Sequence, residues 1–239
     1  MIHLSPPSPR SRRSTTGLLR GLPAAALTVT LFCGAALAKP LEVPFDFSRG
    51  AIGLDVTVKG APLFVMLDTG VDPSVIDISR ADALGLHVDR GASGEASGYG
   101  DAKSARVFSA TITGLAIAGR SFASVDALAA DTTAMSAGYG RRLDAVLGYS
   151  FLKDKIVLID YRNRKIGLLD KPGDATPTVQ HCRAHWNLPM QFLDGDNTPI
   201  IPEFRLGAAT GPITLDTGSN SGIALFPIAL DLKDRKSVV

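Results

Sequence analysis

Leu67-Asp68-Thr69-Gly70-Val71-Asp72-Pro73-Ser74-Val75-Ile76 decides how this chain is read, because its opening returns as Leu215-Asp216-Thr217-Gly218. Each Asp-Thr-Gly ends an apolar run, Leu63 to Leu67 in the first case and Ile213 to Leu215 in the second. A single such triplet arises by chance in about one chain in twenty of this length. Two copies at matching places are much harder to dismiss. Upstream, Val43-Pro44-Phe45-Asp46-Phe47 is echoed by Leu188-Pro189-Met190-Gln191-Phe192, so spacing is kept along with identity. A period this long is not that of a solenoid and points to a duplicated lobe.

Outward from the first triplet, the pattern is short apolar runs punctuated by Gly, Pro and Asp. Ile52 to Lys59 alternates around Leu54, Val56 and Val58, and Gly60-Ala61-Pro62 turns the chain into the continuously apolar Leu63 to Leu67. Alternation reads as a half-buried strand and the apolar run as a fully buried one. Ile156-Val157-Leu158-Ile159 and Ile166-Gly167-Leu168-Leu169 flank a polar link and predict a hairpin. One short helix is expected, with Ser79 as N-cap, Ala81 to Leu84 as its body and Gly85 as its stop. The fold class is therefore mostly β: a closed, barrel-like lobe followed by a second, incomplete lobe of the same type.

The triplet has a physical logic. A strand carries the Asp into a dry site, Thr can hydrogen-bond to a facing loop, and Gly lets the backbone turn without a Cβ. Two such loops face to face would bring two carboxylates together. Like charges that close cannot both ionise, so the pair shares one proton. The ionised member can take a proton from water while the protonated one hydrogen-bonds a carbonyl under attack.

On these residues the sequence resembles the aspartic peptidases, and most closely their retropepsin-like branch. Leu67 to Ile76 looks like that family's catalytic segment. Ala145-Val146-Leu147-Gly148 is similar to its second signature, two apolar residues and a glycine packed behind the active-site loop. Phe151-Leu152 and the Ile159 to Asn163 hairpin continue the pattern. The resemblance covers residues 41–170 well and 186–226 in part. It implies peptide-bond hydrolysis by activated water, a peptide or protein substrate, no metal or other cofactor, and a flap over the cleft. Asp68 and Asp216 are then the catalytic pair, and Thr69, Gly70, Thr217 and Gly218 the supporting loops. Asp72 and Tyr99 are candidates for substrate binding. Asp72 reads equally well as a solvated turn residue. Tyr99 lies in a stretch with Gly91, Gly94, Gly98 and Gly100 that reads either as the flap or as a glycine-rich surface loop.

The second half departs from the family. After Gly222 there is no glycine, and so no apolar-apolar-Gly segment. As written, the chain reads as one full lobe plus the first part of another, as a truncated or frameshifted reading frame would give. That leaves two sources for the second carboxylate: Asp216 of the same chain, or Asp68 of a second copy in a homodimer. The expectation is that Asp216 lies near Asp68 but is held loosely.

Residues 1–38 read as an address. Arg10, Arg12, Arg13 and Arg20 precede the apolar Leu22 to Cys33, and Ala36-Leu37-Ala38 offers a cleavage site. The expectation is a signal peptide and a periplasmic or secreted mature protein, associated with a membrane only if the peptide stays uncleaved. The expected order is then a first lobe over 39–171, a linker over 172–185 and the partial lobe over 186–239.

The whole chain of 239 residues carries 25 basic and 23 acidic side chains. Removing the four arginines of the leader leaves a body slightly acidic overall, with no electrostatic case for nucleic acid. His181-Cys182-Arg183-Ala184-His185 has helix-like ligand spacing, but without a second ligand cluster it supports no metal site. There is no nucleophile elbow and no His-Glu-x-x-His, so serine and zinc hydrolase chemistry has no foothold. The alternative to a peptidase is an inactive peptide-binding module that keeps the same fold.

Overall fold

The computed structural model describes residues 41–96, 105–169, 181–192, 197, 199–207, 209–219 and 222. Their elements are almost all strands. In the first half, β1 (Leu41–Pro44), β2 (Ile52–Val58), β3 (Ala61–Leu67) and β4 (Ser74–Asp77) lead to a short helix α1 (Ile78–Ala83). Then come β5 (His87–Ala96), β6 (Ala105–Ile112), β7 (Leu115–Ile117), β8 (Arg120–Ser121), β9 (Val125–Ala130) and α2 (Thr133–Tyr139). The half closes with β10 (Ala145–Leu147), α3 (Tyr149–Leu152), β11 (Ile156–Asp160) and β12 (Lys165–Leu169). The second half contributes β13 (Gln191–Phe192), β14 (Pro199–Leu206) and β15 (Ala209–Thr214).

Nine of these strands form one sheet in the order β5-β6-β9-β4-β10-β3-β2-β7-β8. The alternating run becomes β2, antiparallel to β3 from Ile52↔Leu67 to Val58↔Ala61. The continuously apolar run becomes β3, and the reason is visible in the packing. Leu63, Val65 and Leu67 face the main core, while Phe64 meets a smaller cluster with Ala51, Tyr139 and Leu143. A strand covered on both faces has no place for polar alternation. Tyr139 belongs to α2, so that helix covers the second face.

The predicted hairpin is β11–β12, paired antiparallel, with β1 added along β12. The helix expected near Ala81 is α1, but its cap differs. Asp77, not Ser79, is the N-cap, and its carboxylate accepts from the Arg80 N–H at 3.1 Å. Ser79 instead donates its hydroxyl to the same carboxylate. The expectation of a single helix is also corrected, since α2 and α3 are present as well. The His181 to His185 stretch is non-helical and exposed, so the helical ligand spacing is not realised there. Gly91 and Gly94 lie on β5, which pairs with β6 as a hairpin. Tyr99, Gly98 and Gly100 lie outside the described residues, as do residues 1–38 and the part from 172 to 180 of the linker expected over 172–185. Among the described residues, no helix is long and apolar enough to cross a membrane.

Candidate active site

Asp68 sits where β3 runs out, and the loop that follows is built around β10. β10 lies parallel to β3, with Ala145↔Val65, Val146↔Met66 and Leu147↔Leu67, and antiparallel to β4 on its other side. The chain therefore leaves β3 at Asp68, crosses the end of β10 and returns as β4. The Asp68 N–H donates to the Leu147 carbonyl at 3.1 Å, and the Tyr149 N–H to the Val71 carbonyl at 2.8 Å. Gly148 stands between them, and a Cβ there would collide with the Val71 carbonyl oxygen. The glycine of the apolar-apolar-Gly signature thus allows the loop to lie directly on β10. Ser74, fully buried, accepts from the Gly148 N–H at 2.9 Å, and its own N–H donates to Ser150 Oγ at 2.9 Å.

The second triplet meets the first through an exchange of hydrogen bonds between threonines. The Thr69 N–H donates to Thr217 Oγ1 and the Thr217 N–H to Thr69 Oγ1, both at 3.1 Å. Thr217 Oγ1 donates to the Leu67 carbonyl at 3.0 Å, and Thr69 Oγ1 donates to the Leu215 carbonyl. Every bond on one side has its counterpart on the other. This exchange holds the Asp216 loop, although the second half offers no apolar-apolar-Gly segment among the described residues. Asp216 is further fixed by the Gly218 N–H at 2.8 Å and the Ser219 N–H at 3.0 Å.

Each loop glycine faces the other loop's aspartate. A Cβ on Gly70 would stand 2.9 Å from the Asp216 carboxyl carbon, and one on Gly218 would collide with the Asp68 carboxylate. The two carboxylates thus face one another across the paired loops, near enough for the charge of Asp216 to act on Asp68. Their surroundings differ, however. Asp68 is 6% exposed, whereas Asp216 is solvent-facing. Burial, and next the charge of Asp216, push Asp68 up to about 7, against the hydrogen bonds from Gly70 and Gly218 that favour its ionised form.

The sequence-predicted residues Asp68, Thr69, Gly70, Asp216, Thr217 and Gly218 are thus brought together. Asp72 lies on the rim, exposed, and its carboxylate accepts from Asn197 Nδ2 at 2.8 Å. Tyr149, whose N–H meets the carbonyl of the neighbouring Val71, packs edge-to-face on Phe192 with ring centroids 5.1 Å apart. Neither Asn197 nor Phe192 carries a motif, so only the fold reveals that the second half grips this rim.

Sequence reasoning also missed a buried polar network behind the loop. Asp77 accepts from Thr132 Oγ1 at 3.0 Å in addition to Ser79 and Arg80. Burial acts to raise its pKa, but these hydrogen bonds win and hold it below the ordinary carboxylate value. Asp144, just before β10, accepts from the Phe64 N–H at 3.0 Å and pairs with Arg80 at 3.0 Å and Arg142 at 3.3 Å. It ties the start of β10 to β3 and α1. No group of three or more metal-ligating side chains is found among the described residues.

Residues 54–151 match the aspartyl protease family. Among solved structures, a retropepsin-like aspartic protease from Rickettsia conorii is similar at 18% identity. It covers 54% of this chain and 89% of its own, with a TM-score of 0.37. EIAV protease complexed with an inhibitor is 27% identical over 45% of this chain and 93% of its own, with a TM-score of 0.31. The retroviral protease-like domain of Ddi1 from Leishmania major is 14% identical over 51% of this chain and 97% of its own, at a TM-score of 0.33. No match is found among curated proteins.

Proposed function

We propose, since this chain belongs through residues 54–151 to the aspartyl protease family, that it is an aspartic endopeptidase acting through Asp68 and Asp216. The observation that carries this reading is the reciprocal threonine exchange, which sets two Asp-Thr-Gly loops face to face. The difference in burial divides the roles. Asp68, in the drier position, keeps the shared proton and donates a hydrogen bond to the scissile carbonyl oxygen. Asp216, open to solvent, takes a proton from the attacking water. The water oxygen bonds to the carbonyl carbon, the carbon–nitrogen bond breaks, and the proton gained by the dyad leaves with the new amine. In this reading Asp72, exposed at the rim, binds a substrate's main chain, and the β5–β6 hairpin is the candidate flap. The three-stranded sheet β13–β15, with the loop bearing Asp216, is the beginning of a second lobe. Residues 1–38 act as an export signal, which N-terminal sequencing of the secreted or periplasmic protein would test by finding Lys39 first.

The test of activity is cleavage of a peptide library between pH 3 and 8 by the wild type and by Asp68→Asn and Asp216→Asn. Hydrolysis by the wild type, inhibited by a statine-type transition-state analogue and lost in both variants, is expected. Peptide binding without any cleavage would instead identify an inert binding module.

A further inference from the structure

The ladder between β10 and β4 stops at Val146↔Val75. One residue farther, at Ser74, two hydroxyls take over from the backbone. Ser150 Oγ lies 2.7 Å from the Asp126 carbonyl, 2.8 Å from Ser74 Oγ and 2.9 Å from the Ser74 nitrogen. A carbonyl can only accept, so the one proton of the Ser150 hydroxyl goes to Asp126. The bond between the two hydroxyls therefore runs from Ser74 to Ser150, and Ser74 Oγ in turn accepts from the Gly148 N–H at 2.9 Å. Ser150 thus donates once and accepts twice. Ser74 is fully buried, so bulk water does not make up a bond that it loses.

The place of this pair in the fold gives it a further role. The loop from Asp68 to Pro73 is anchored at its start, middle and end on the segment 147–150. The Asp68 N–H on the Leu147 carbonyl holds its start, the Tyr149 N–H on the Val71 carbonyl its middle, and the serines its end. The first two anchors are backbone bonds. The third is made through side chains, and the Asp126 carbonyl extends it to β9. Between the anchors, the Gly70 N–H donates to Asp68 Oδ1 at 2.7 Å, so the path of the loop sets where that carboxylate stands. We propose that Ser150 is a positioning residue of the catalytic loop: acting through Ser74, it fixes the loop's exit and, with it, the Asp68 carboxylate against Asp216. Its effect on rate rests on the peptidase reading, whereas its effect on the loop rests on geometry alone.

The experiment uses the full chain carrying Ser150→Ala, Ser150→Cys or Ser150→Thr, with Ser136→Ala as the control. Ser136 likewise accepts from a backbone N–H, that of Leu143 at 2.9 Å, but it belongs to α2 and not to the loop's anchors. Ser150→Ala should lower kcat by about tenfold or more and leave KM within about twofold, because a displaced reacting group loses rate rather than affinity. Ser150→Thr, which keeps the hydroxyl, should stay near the wild type. Ser150→Cys should fall between, and Ser136→Ala should keep kcat. Amide exchange at Gly70, Ser74 and Gly148 should speed by about tenfold in Ser150→Ala while β2 and β12 are unchanged. Where the alanine variant does not fold, the cysteine variant carries the same comparison. The proposal is overturned if Ser150→Ala keeps kcat, if KM alone changes, if threonine does not rescue, or if exchange speeds equally in β2. A wild type that hydrolyses nothing removes the peptidase reading, and exchange at the loop then decides the positioning role by itself.

Discussion

A proton on Asp68 is favoured first by burial and then by the negative charge of Asp216 beside it, which together move its titration from 3.8 to about 7. Between those values the folded state holds a proton that the unfolded chain has released. The stabilisation from this group is therefore complete below pH 3.8 and is lost as pH rises through 7, a change of about 4 kcal/mol for a single group. Asparagine at this position cannot titrate. Asp68→Asn should thus abolish hydrolysis and gain stability on the wild type as pH rises, by up to about 4 kcal/mol between pH 4 and pH 8. Urea unfolding at the two pH values measures this, and a stability difference independent of pH would sink the assignment. The glycines make a second case. Gly218→Ala drives a methyl group into the Asp68 carboxylate, and displacing a reacting group by about 1 Å costs on the order of 100-fold in rate. Gly138→Ala, with nothing within 4 Å of its Cβ, is the matched control and should keep wild-type activity. Equal activity in the two variants would remove the steric argument.

Elements differ in how plainly the sequence announces them, and the reason is the range of the interactions that fix them. β2, β3 and the β11–β12 hairpin are set by local periodicity and turns, and they emerge where the pattern puts them. The Ala145 to Gly148 segment was legible through its motif, and its packing on Val71 explains the glycine. The α1 cap was misplaced by two residues because Ser79 and Asp77 are both good caps, and only the fold brings Thr132 to Asp77. Asp144 gave no signal at all. Its partners Phe64 and Arg80 are distant in sequence and become neighbours only when β10 docks beside β3. That makes it a test of the element it serves. Asp144→Ala strands the Phe64 N–H and leaves the partly buried Arg80 uncompensated, so a loss of about 3–5 kcal/mol is expected. Asp144→Asn, which keeps an acceptor for Phe64, should cost less. Chemical denaturation ranks the two, and a cost below about 1 kcal/mol for alanine would show that β10 is held by its apolar contacts alone.

At the scale of the whole molecule, the question is whether the pair of carboxylates comes from one chain or two. The sequence left both geometries open, because it showed a repeat but not whether the copies touch. In the structure, Thr69 and Thr217 exchange hydrogen bonds within a single chain, and Asn197 and Phe192 add contacts at the rim. A homodimer that paired Asp68 with its symmetry mate would have to displace the segment from Leu215 to Gly218 from Thr69 in both copies. The tethered segment competes at an effective concentration of about a millimolar, far above a second chain at micromolar concentration. The intramolecular pair should therefore prevail. Asp68→Asn and Asp216→Asn should each be inactive alone, an equimolar mixture of the two should recover nothing, and wild-type specific activity should not depend on protein concentration. Activity restored in the mixture would require a site assembled between chains. Full activity in Asp216→Asn alone would mean that Asp68 finds its own copy and that the threonine exchange gives way to the dimer.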